Sequence, residues 1–439
     1  MTTQSQPTVL APQTARSNGR SGLATFFLWL APIVVTAALA YPSLVWPLFE
    51  AEIVSLGPVY GQPTVDGPPS PLLRIYFSML LLAGCLSFLS IEGRRAALLR
   101  QWPIILTALF LIWAGATSFW AVEPEITTRR FLLAVFIGGS IILATLAARD
   151  TDQLMSWIFG MFFVVTVLSA ISVLTTAPTA LGHAAYFPHK NSFGATISVA
   201  VLVAVYQVSN GRGITRIAGV AMLAAGIWFL IESRSKTSLA LVIVAPAAAF
   251  GIALLARIGR ISPAITVVAA FTGLYGIYAI GAASHIWDFD EVATAIFGDP
   301  TLTQRTDIWA FAVKMIEQRP WLGYGYEVFW GASIESPSVR QGPGFVAQMP
   351  HAHNGYIDIV LQTGYVGLTI LIALLLTVLH LTGRVASHSL GLASFLLSVL
   401  VYCILANGLE SSWFRSFSLA SMMFVLAIAI TARPDARPQ

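Results

Sequence analysis

Apolar residues run through this chain in blocks rather than in alternation, and a block of about 20 is what a helix needs to cross a hydrocarbon core. Twelve such blocks occur, at about 23–41, 72–91, 102–121, 131–148, 154–174, 192–209, 216–232, 237–256, 262–284, 356–380, 389–408 and 416–431. Arg234-Ser235-Lys236 separates the seventh from the eighth and reads as a tight turn. If one broken helix ran through it instead, the count would fall and every later segment would reverse its direction. Between the ninth and tenth blocks lies a polar interval punctuated by Gly and Pro. The pattern predicts an all-α polytopic membrane protein with about 12 transmembrane helices. Its parts are a tail over 1–21, helices one to nine over 22–284, a large loop over 285–355, helices ten to twelve over 356–431 and a tail over 432–439.

Composition agrees: at 56% apolar and 10% charged, the chain lies outside the range of soluble globular domains. A net charge of +4 does not mark a nucleic-acid binder, because Lys and Arg stand singly between apolar blocks instead of gathering on one face. Cys85 and Cys403 fall inside apolar blocks, where they imply neither a disulfide nor a metal framework. Residues 1–21 are polar, rich in Ser, Thr, Gln and Pro, and lack the apolar stretch of a signal peptide, so a disordered tail is expected.

Basic residues in short loops orient such a chain, since they concentrate on the cytoplasmic side. With the N-terminus inside, thirteen of the 24 Lys and Arg residues fall in cytoplasmic segments, from Arg16, Arg20 and Arg94 to Arg433 and Arg437. The short outer loops hold Arg129, Arg130, Lys190, Arg234, Lys236 and Arg415, all close to helix ends. Both termini are therefore expected in the cytoplasm and the 285–355 loop outside. ATP has no access to that face, so any reaction there must run on a substrate activated beforehand.

Ionisable groups at membrane depth are costly unless paired or facing a wet cavity, which makes them candidates for a site. Helix-end Arg and Lys also snorkel to headgroups with no further role. Arg234 ends one apolar helix just before the next, where a guanidinium can hold a phosphate bidentately. Lys236 either adds charge there or anchors the turn, and Glu232 could pair with either of them. Residues 306–316 show apolar positions at near-helical spacing interrupted by charges, as in an interfacial helix. Arg305 stands at its start, where a helix N-terminus and a guanidinium together favour an anion, although Asp299 or Asp307 could equally be its partner. Gly323 and Gly325, following Pro320, bring backbone close to something without forming a nucleotide loop.

The loop closes on His351-Ala352-His353-Asn354-Gly355-Tyr356. A neutral imidazole at His353 can take the proton of an attacking hydroxyl if its pKa stays near ambient pH. Metal binding by His351 and His353 lacks a carboxylate at the usual ligand spacing, since Asp358 falls inside helix ten. No metal or other cofactor is expected.

The Ser233-Arg234 turn, Arg305 followed by Asp307-Ile308-Trp309, then Pro320-Trp321-Leu322-Gly323-Tyr324-Gly325, and His351 to Tyr356 running into Gly364-Tyr365-Val366-Gly367 resemble, in this order, the O-antigen ligase and Wzy-type polymerase superfamily of membrane glycosyltransferases. Trp120, Glu123-Pro124, Thr128-Arg129-Arg130 and Phe187-Pro188-His189-Lys190-Asn191 look most similar to its exopolysaccharide polymerase (ExoQ-like) branch. Motifs cover roughly 190–375. The resemblance implies a GT-C-type fold in the bacterial inner membrane with a large periplasmic loop between helices nine and ten. It also implies an undecaprenyl-pyrophosphate-linked sugar donor, metal-independent chemistry and inversion at the anomeric carbon. Carried over by position, Arg234 and Arg305 would bind the pyrophosphate and His353 would activate the acceptor hydroxyl. Lys190, Arg130, His351, Lys236 and Asn354 would be additional donor or acceptor contacts. The implied partners are lipid-linked sugars, membrane lipid, and a chain-length regulator (copolymerase) and flippase of the same pathway.

Three other readings compete, one of them a copolymerase or scaffold without activity, which would leave the arginine and histidine positions mutable. An O-antigen ligase would use the same donor with a lipid A-core acceptor, and nothing in the sequence decides the acceptor. A secondary transporter or lipid-linked sugar flippase would be served equally by twelve helices, but transporters bind near the midplane on broken helices and often carry internal repeats. Here the polar groups gather at one face and no repeat is visible.

Overall fold

The structure, a computed structural model, describes residues 22–50, 71–93, 95–180, 182–286, 288–297 and 304–433. The expected tail over 1–21, the last six residues of the tail over 432–439, Arg94 and Asp299 lie outside the described residues.

No β-strand occurs among the described residues, and the apolar blocks form helices one for one. They are α1 (Gly22–Ala40, continued by a π-helical Tyr41–Glu50), α2 (Pro71–Leu89), α3 (Trp102–Ala116), α4 (Pro124–Ala147), α5 (Thr151–Thr175), α6 (Lys190–Asn210), α7 (Gly213–Glu232), α8 (Lys236–Ile258) and α9 (Pro263–Ala283). Two helices of the large loop follow, α10 (Phe289–Phe297) and α11 (Arg305–Gln318), and then α12 (Gly355–Ala386), α13 (Leu390–Ala406) and α14 (Leu419–Thr431). The chain is a multi-pass membrane protein. Ten of the described helices are long and apolar enough to cross a bilayer, and α13 and α14 are apolar but shorter.

Their burial explains how short helices persist. At 13 residues α14 rises about 20 Å, less than a hydrocarbon core of about 30 Å. Almost all of it is enclosed by neighbours, and it packs along α4. A helix that is apolar all round belongs in the middle of a bundle. By contrast α9 buries only Pro263, Val267 and Gly281, so the rest of its surface faces outward.

The α4 helix starts seven residues before the apolar block does, with Pro124 at its first turn, so Arg129 and Arg130 lie on a helix and not in a loop. Pro is favoured at that position because its missing N–H has no intrahelical partner to lose.

A second departure shapes the site. Rather than a single span, α12 is broken at Gly364, whose φ of 68° and ψ of −176° are non-helical. Carbonyls freed by such a break need new donors, because apolar surroundings supply none. The Pro320–Gly325 turn provides two, since the amides of Tyr324 and Gly325 donate to the carbonyls of Leu361 (2.8 Å) and Gln362 (3.0 Å), and its Pro320 carbonyl accepts from the freed Tyr365 N (2.8 Å). Trp113 Nε1 donates to Thr363 O at 2.9 Å. A Cβ on Gly364 would lie 2.0 Å from Trp321 O, and one on Gly323 would lie 2.6 Å from the Gln362 backbone. The two glycine-bearing motifs of the sequence are thus the two halves of one contact.

The described part of the large loop has an apolar core of its own. Ile308, Phe311 and Met315 of α11 pack with Tyr324, Phe329, Trp330, Val346 and Ala352 against Leu361 of α12. This small core seats the segment carrying His351 and His353 on the first half of α12.

Candidate active site

Ala352 is fully buried between the two histidines, and its peptide groups are held on both sides. Its N–H donates to Asp358 Oδ1 at 3.1 Å, and its carbonyl accepts from Trp309 Nε1 at 2.9 Å. Asp358 is itself buried and accepts from Trp330 Nε1 at 2.6 Å. His353 sits in the left-handed region with φ of 50°, an uncommon conformation for a non-glycine residue that the surrounding hydrogen bonds enforce. Its own amide donates to His351 Nδ1 at 3.1 Å.

The next two residues fix the loop to the helix and to its neighbour. Asn354 caps α12, its Oδ1 accepting from the amides of Tyr356 and Ile357. Gly355 N donates to the carbonyls of Asn407 (2.8 Å) and Glu410 (3.0 Å), in the connection that follows α13.

That connection brings in a residue the sequence reading missed. Glu410 Oε2 lies 3.2 Å from His353 Nδ1, and its Oε1 lies 3.4 Å from Arg305 Nη2. A neutral imidazole carries one proton, and the nitrogen facing a carboxylate is the one that keeps it. Nδ1 is therefore the donor, and Nε2 is left as an acceptor. One signal for Glu410 was available: it is a lone carboxylate between two apolar blocks. Its neighbourhood was not, since it stands 57 residues from His353 in the chain.

Arg305 opens α11 and is partnered by Glu410, whereas Asp307, a candidate partner by sequence, forms no ion pair with it among the described residues. His351 is half-buried, with its ring centroid 4.1 Å from that of His353. Lost solvation, then the charge of Arg415, hold its imidazole well below the usual histidine range. Ligand atoms of His351, His353 and Glu410 all lie within 4.8 Å of one another, so the carboxylate that the sequence did not offer to a metal is present.

Arg130 is buried, donates to the Glu327 carbonyl and lines a cavity of about 30 Å³ with His351, Asp358, Ser411 and Arg415. Such a space holds water and not a sugar. Arg130 therefore lies in the interior, on a cavity it shares with His351.

Arg234, Lys236 and Lys190 form a separate group. Arg234 is an exposed turn residue with φ of 52°, and its Nη1 donates to Ala180 O at 3.3 Å. Glu232 instead accepts from Trp228 Nε1 at 3.3 Å, and among the described residues it pairs with neither Arg234 nor Lys236. Lys236 begins α8 and is exposed; Lys190 begins α6 behind the capping His189. Since α8 packs along α13 and successive spans alternate in direction, α8 begins at the membrane face where α13 ends. The Arg234 turn and Glu410 thus share a face, without side-chain contact between them.

The O-antigen ligase family model matches residues 197–372. That stretch contains Arg234, Arg305, His351 and His353 but neither Glu410 nor Arg130. The chain is also similar to the exopolysaccharide production protein ExoQ of Rhizobium meliloti (strain 1021), 25% identical over 284 residues that make up 61% of this chain. The aligned part takes in 62% of that relative's length. Both matches bear out the resemblance to the O-antigen ligase and Wzy-type polymerase superfamily and its ExoQ-like branch.

Proposed function

We propose that the chain is a bacterial polysaccharide polymerase that joins undecaprenyl-pyrophosphate-linked oligosaccharide repeat units at the periplasmic face of the inner membrane. The observation that carries this reading is the meeting of Arg305 and His353 on Glu410, an acid–base group beside an anion-binding group at one face. With its Nδ1–H held by Glu410, His353 offers Nε2 to an acceptor hydroxyl. The hydroxyl oxygen attacks the anomeric carbon of the donor sugar, its proton passes to Nε2, and the bond to the pyrophosphate breaks. Attack opposite the leaving group inverts the anomeric centre. Glu410 stabilises the imidazolium that forms, and Arg305, joined by Arg234, takes up the charge on the departing pyrophosphate. Arg305 is free to exchange partners, since a half-exposed ion pair of this kind is worth at most about 1 kcal/mol and a pyrophosphate is the stronger ligand. No step calls for a metal, and none calls for ATP.

The test is the surface polysaccharide of a deletion strain complemented with wild type, His353→Ala or Arg305→Ala. Single repeat units on the carrier lipid in the deletion strain and in both variants, with the protein still inserted, are expected. Wild-type-length polymer from either variant removes that residue from the mechanism.

A ligase is the second reading, favoured by the description of the matched family model. It would transfer finished polymer to lipid A-core, and the same deletion strain would then accumulate long unligated polymer. Transport is separated by activity: purified protein elongating lipid-linked repeats without an ion gradient is not acting as a transporter.

A further inference from the structure

We propose that His351, His353 and Glu410 form a binding site for a divalent transition-metal ion of the zinc type, and that its occupancy silences His353. Two imidazoles and a carboxylate are a recurrent zinc ligand set, and here their ligand atoms lie within 4.8 Å of one another. The 3.2 Å between His353 Nδ1 and Glu410 Oε2 is close to the edge of a tetrahedron built on bonds of about 2.0–2.1 Å. All three side chains are half-buried, so an ion can enter from solvent and keep a fourth position for water.

The surroundings are those of a metal site in a further respect. Outer groups that orient ligands matter nearly as much as the ligands themselves. Arg305 holds Glu410 Oε1 and leaves Oε2 for the ion. The Asp358 and Trp309 bonds to Ala352 fix the backbone between the two histidines. One cost is visible: if His351 binds through Nδ1, it gives up the hydrogen bond from the His353 amide.

Silencing follows from proton bookkeeping on one ring. In the metal-free site Nδ1 of His353 carries the proton and Nε2 accepts. An ion on Nδ1 moves that proton to Nε2; the imidazole stays neutral, no proton is gained or lost, and the accepting nitrogen is gone. Only this second half rests on the function proposed above.

Chelator-stripped, full-length protein in detergent should be titrated with Co2+ and followed by visible absorption. The expected result is an intense tetrahedral spectrum that saturates at one equivalent, collapses on adding Zn2+, and is absent from monodisperse His351→Ala and Glu410→Gln, with His353→Gln as a third variant should one of these fail to fold. Weak octahedral absorption, or an intense spectrum that survives these substitutions, overturns the site. In a parallel polymerisation assay Zn2+ should abolish product and a chelator restore it; zinc-loaded protein working at the stripped rate overturns the silencing. Stripped protein with no polymerising activity would count against the proposed function, while the cobalt spectrum still decides the metal site.

Discussion

Glu410 does for His353 what the loop alone cannot: it chooses which ring nitrogen holds the proton. Because its side chain is 40% exposed, its two polar contacts contribute little to stability, on the order of 1 kcal/mol or less. The effect of changing it should therefore appear in rate. A general base contributes about 10²–10⁴-fold, and Glu410→Gln keeps an acceptor for Nδ1–H while losing the charge that stabilises the imidazolium. We expect polymerisation to fall roughly ten- to a hundredfold, with a smaller change in KM and an unchanged melting temperature; His353→Ala should fall further. Arg234 invites a different comparison. Its guanidinium is exposed and spends one donor on Ala180 O, leaving the rest of the fork for a bidentate ligand. Arg234→Lys keeps the charge and loses the fork, so it should be nearly as inactive as Arg234→Ala in an elongation assay. Full activity in the lysine variant would make Arg234 a headgroup anchor.

Elements explain what single residues do not. The break in α12 and the Pro320–Gly325 turn stabilise each other, and the site depends on that contact because the half-helix ahead of Gly364 carries Asn354, Gly355 and Asp358. Gly364→Ala would place a Cβ 2.0 Å from a carbonyl oxygen and force a side chain into a glycine-only conformation, which costs about 1–3 kcal/mol in strain before the clash is counted. Trp113→Phe removes the indole donor to Thr363 O, at about 0.5–1.5 kcal/mol for the lost hydrogen bond. Thermal unfolding in detergent should rank wild type above Trp113→Phe and Trp113→Phe above Gly364→Ala; equal melting temperatures would mean that the turn does not hold the break. How the sequence spoke at this level follows from the kind of information each feature carries. Helices were legible because each is a local run of apolar residues, and His353, Arg305 and Arg234 because charge at an apolar boundary stands out. The α12 break was not, since an apolar count passes through Gly364 without change. Nor was Glu410, because contacts between distant segments leave no trace in spacing. Arg130 was legible as a charge but not as a buried one: α4 begins earlier than its apolar block, and the first turns carry the arginine inward.

At the scale of the whole molecule the proposed chemistry depends on orientation, since a reaction without ATP is required only if the face with α11 and His353 is the outer one. The distribution of Lys and Arg, denser in the short segments on the side of both termini, assigns that face to the outside. Native cysteines make a direct test clean. Cys85 and Cys403 lie within α2 and α13, and Cys403 is buried, so a membrane-impermeant maleimide should find little background. Ile334 is 77% exposed on the large loop, and Arg212 lies in the short connection between α6 and α7. In intact spheroplasts Ile334→Cys should be labelled at once and Arg212→Cys only after the membrane is opened. Successive spans alternate, and α7, α8 and α9 separate these two positions, so they must fall on opposite sides if every one of the three crosses. Labelling of both from one side would show that one of those helices does not span, and would detach the Arg234 turn from the face of His353. Reversed labelling would put His353 in the cytoplasm, where an activated lipid-linked donor is no longer the required energy source.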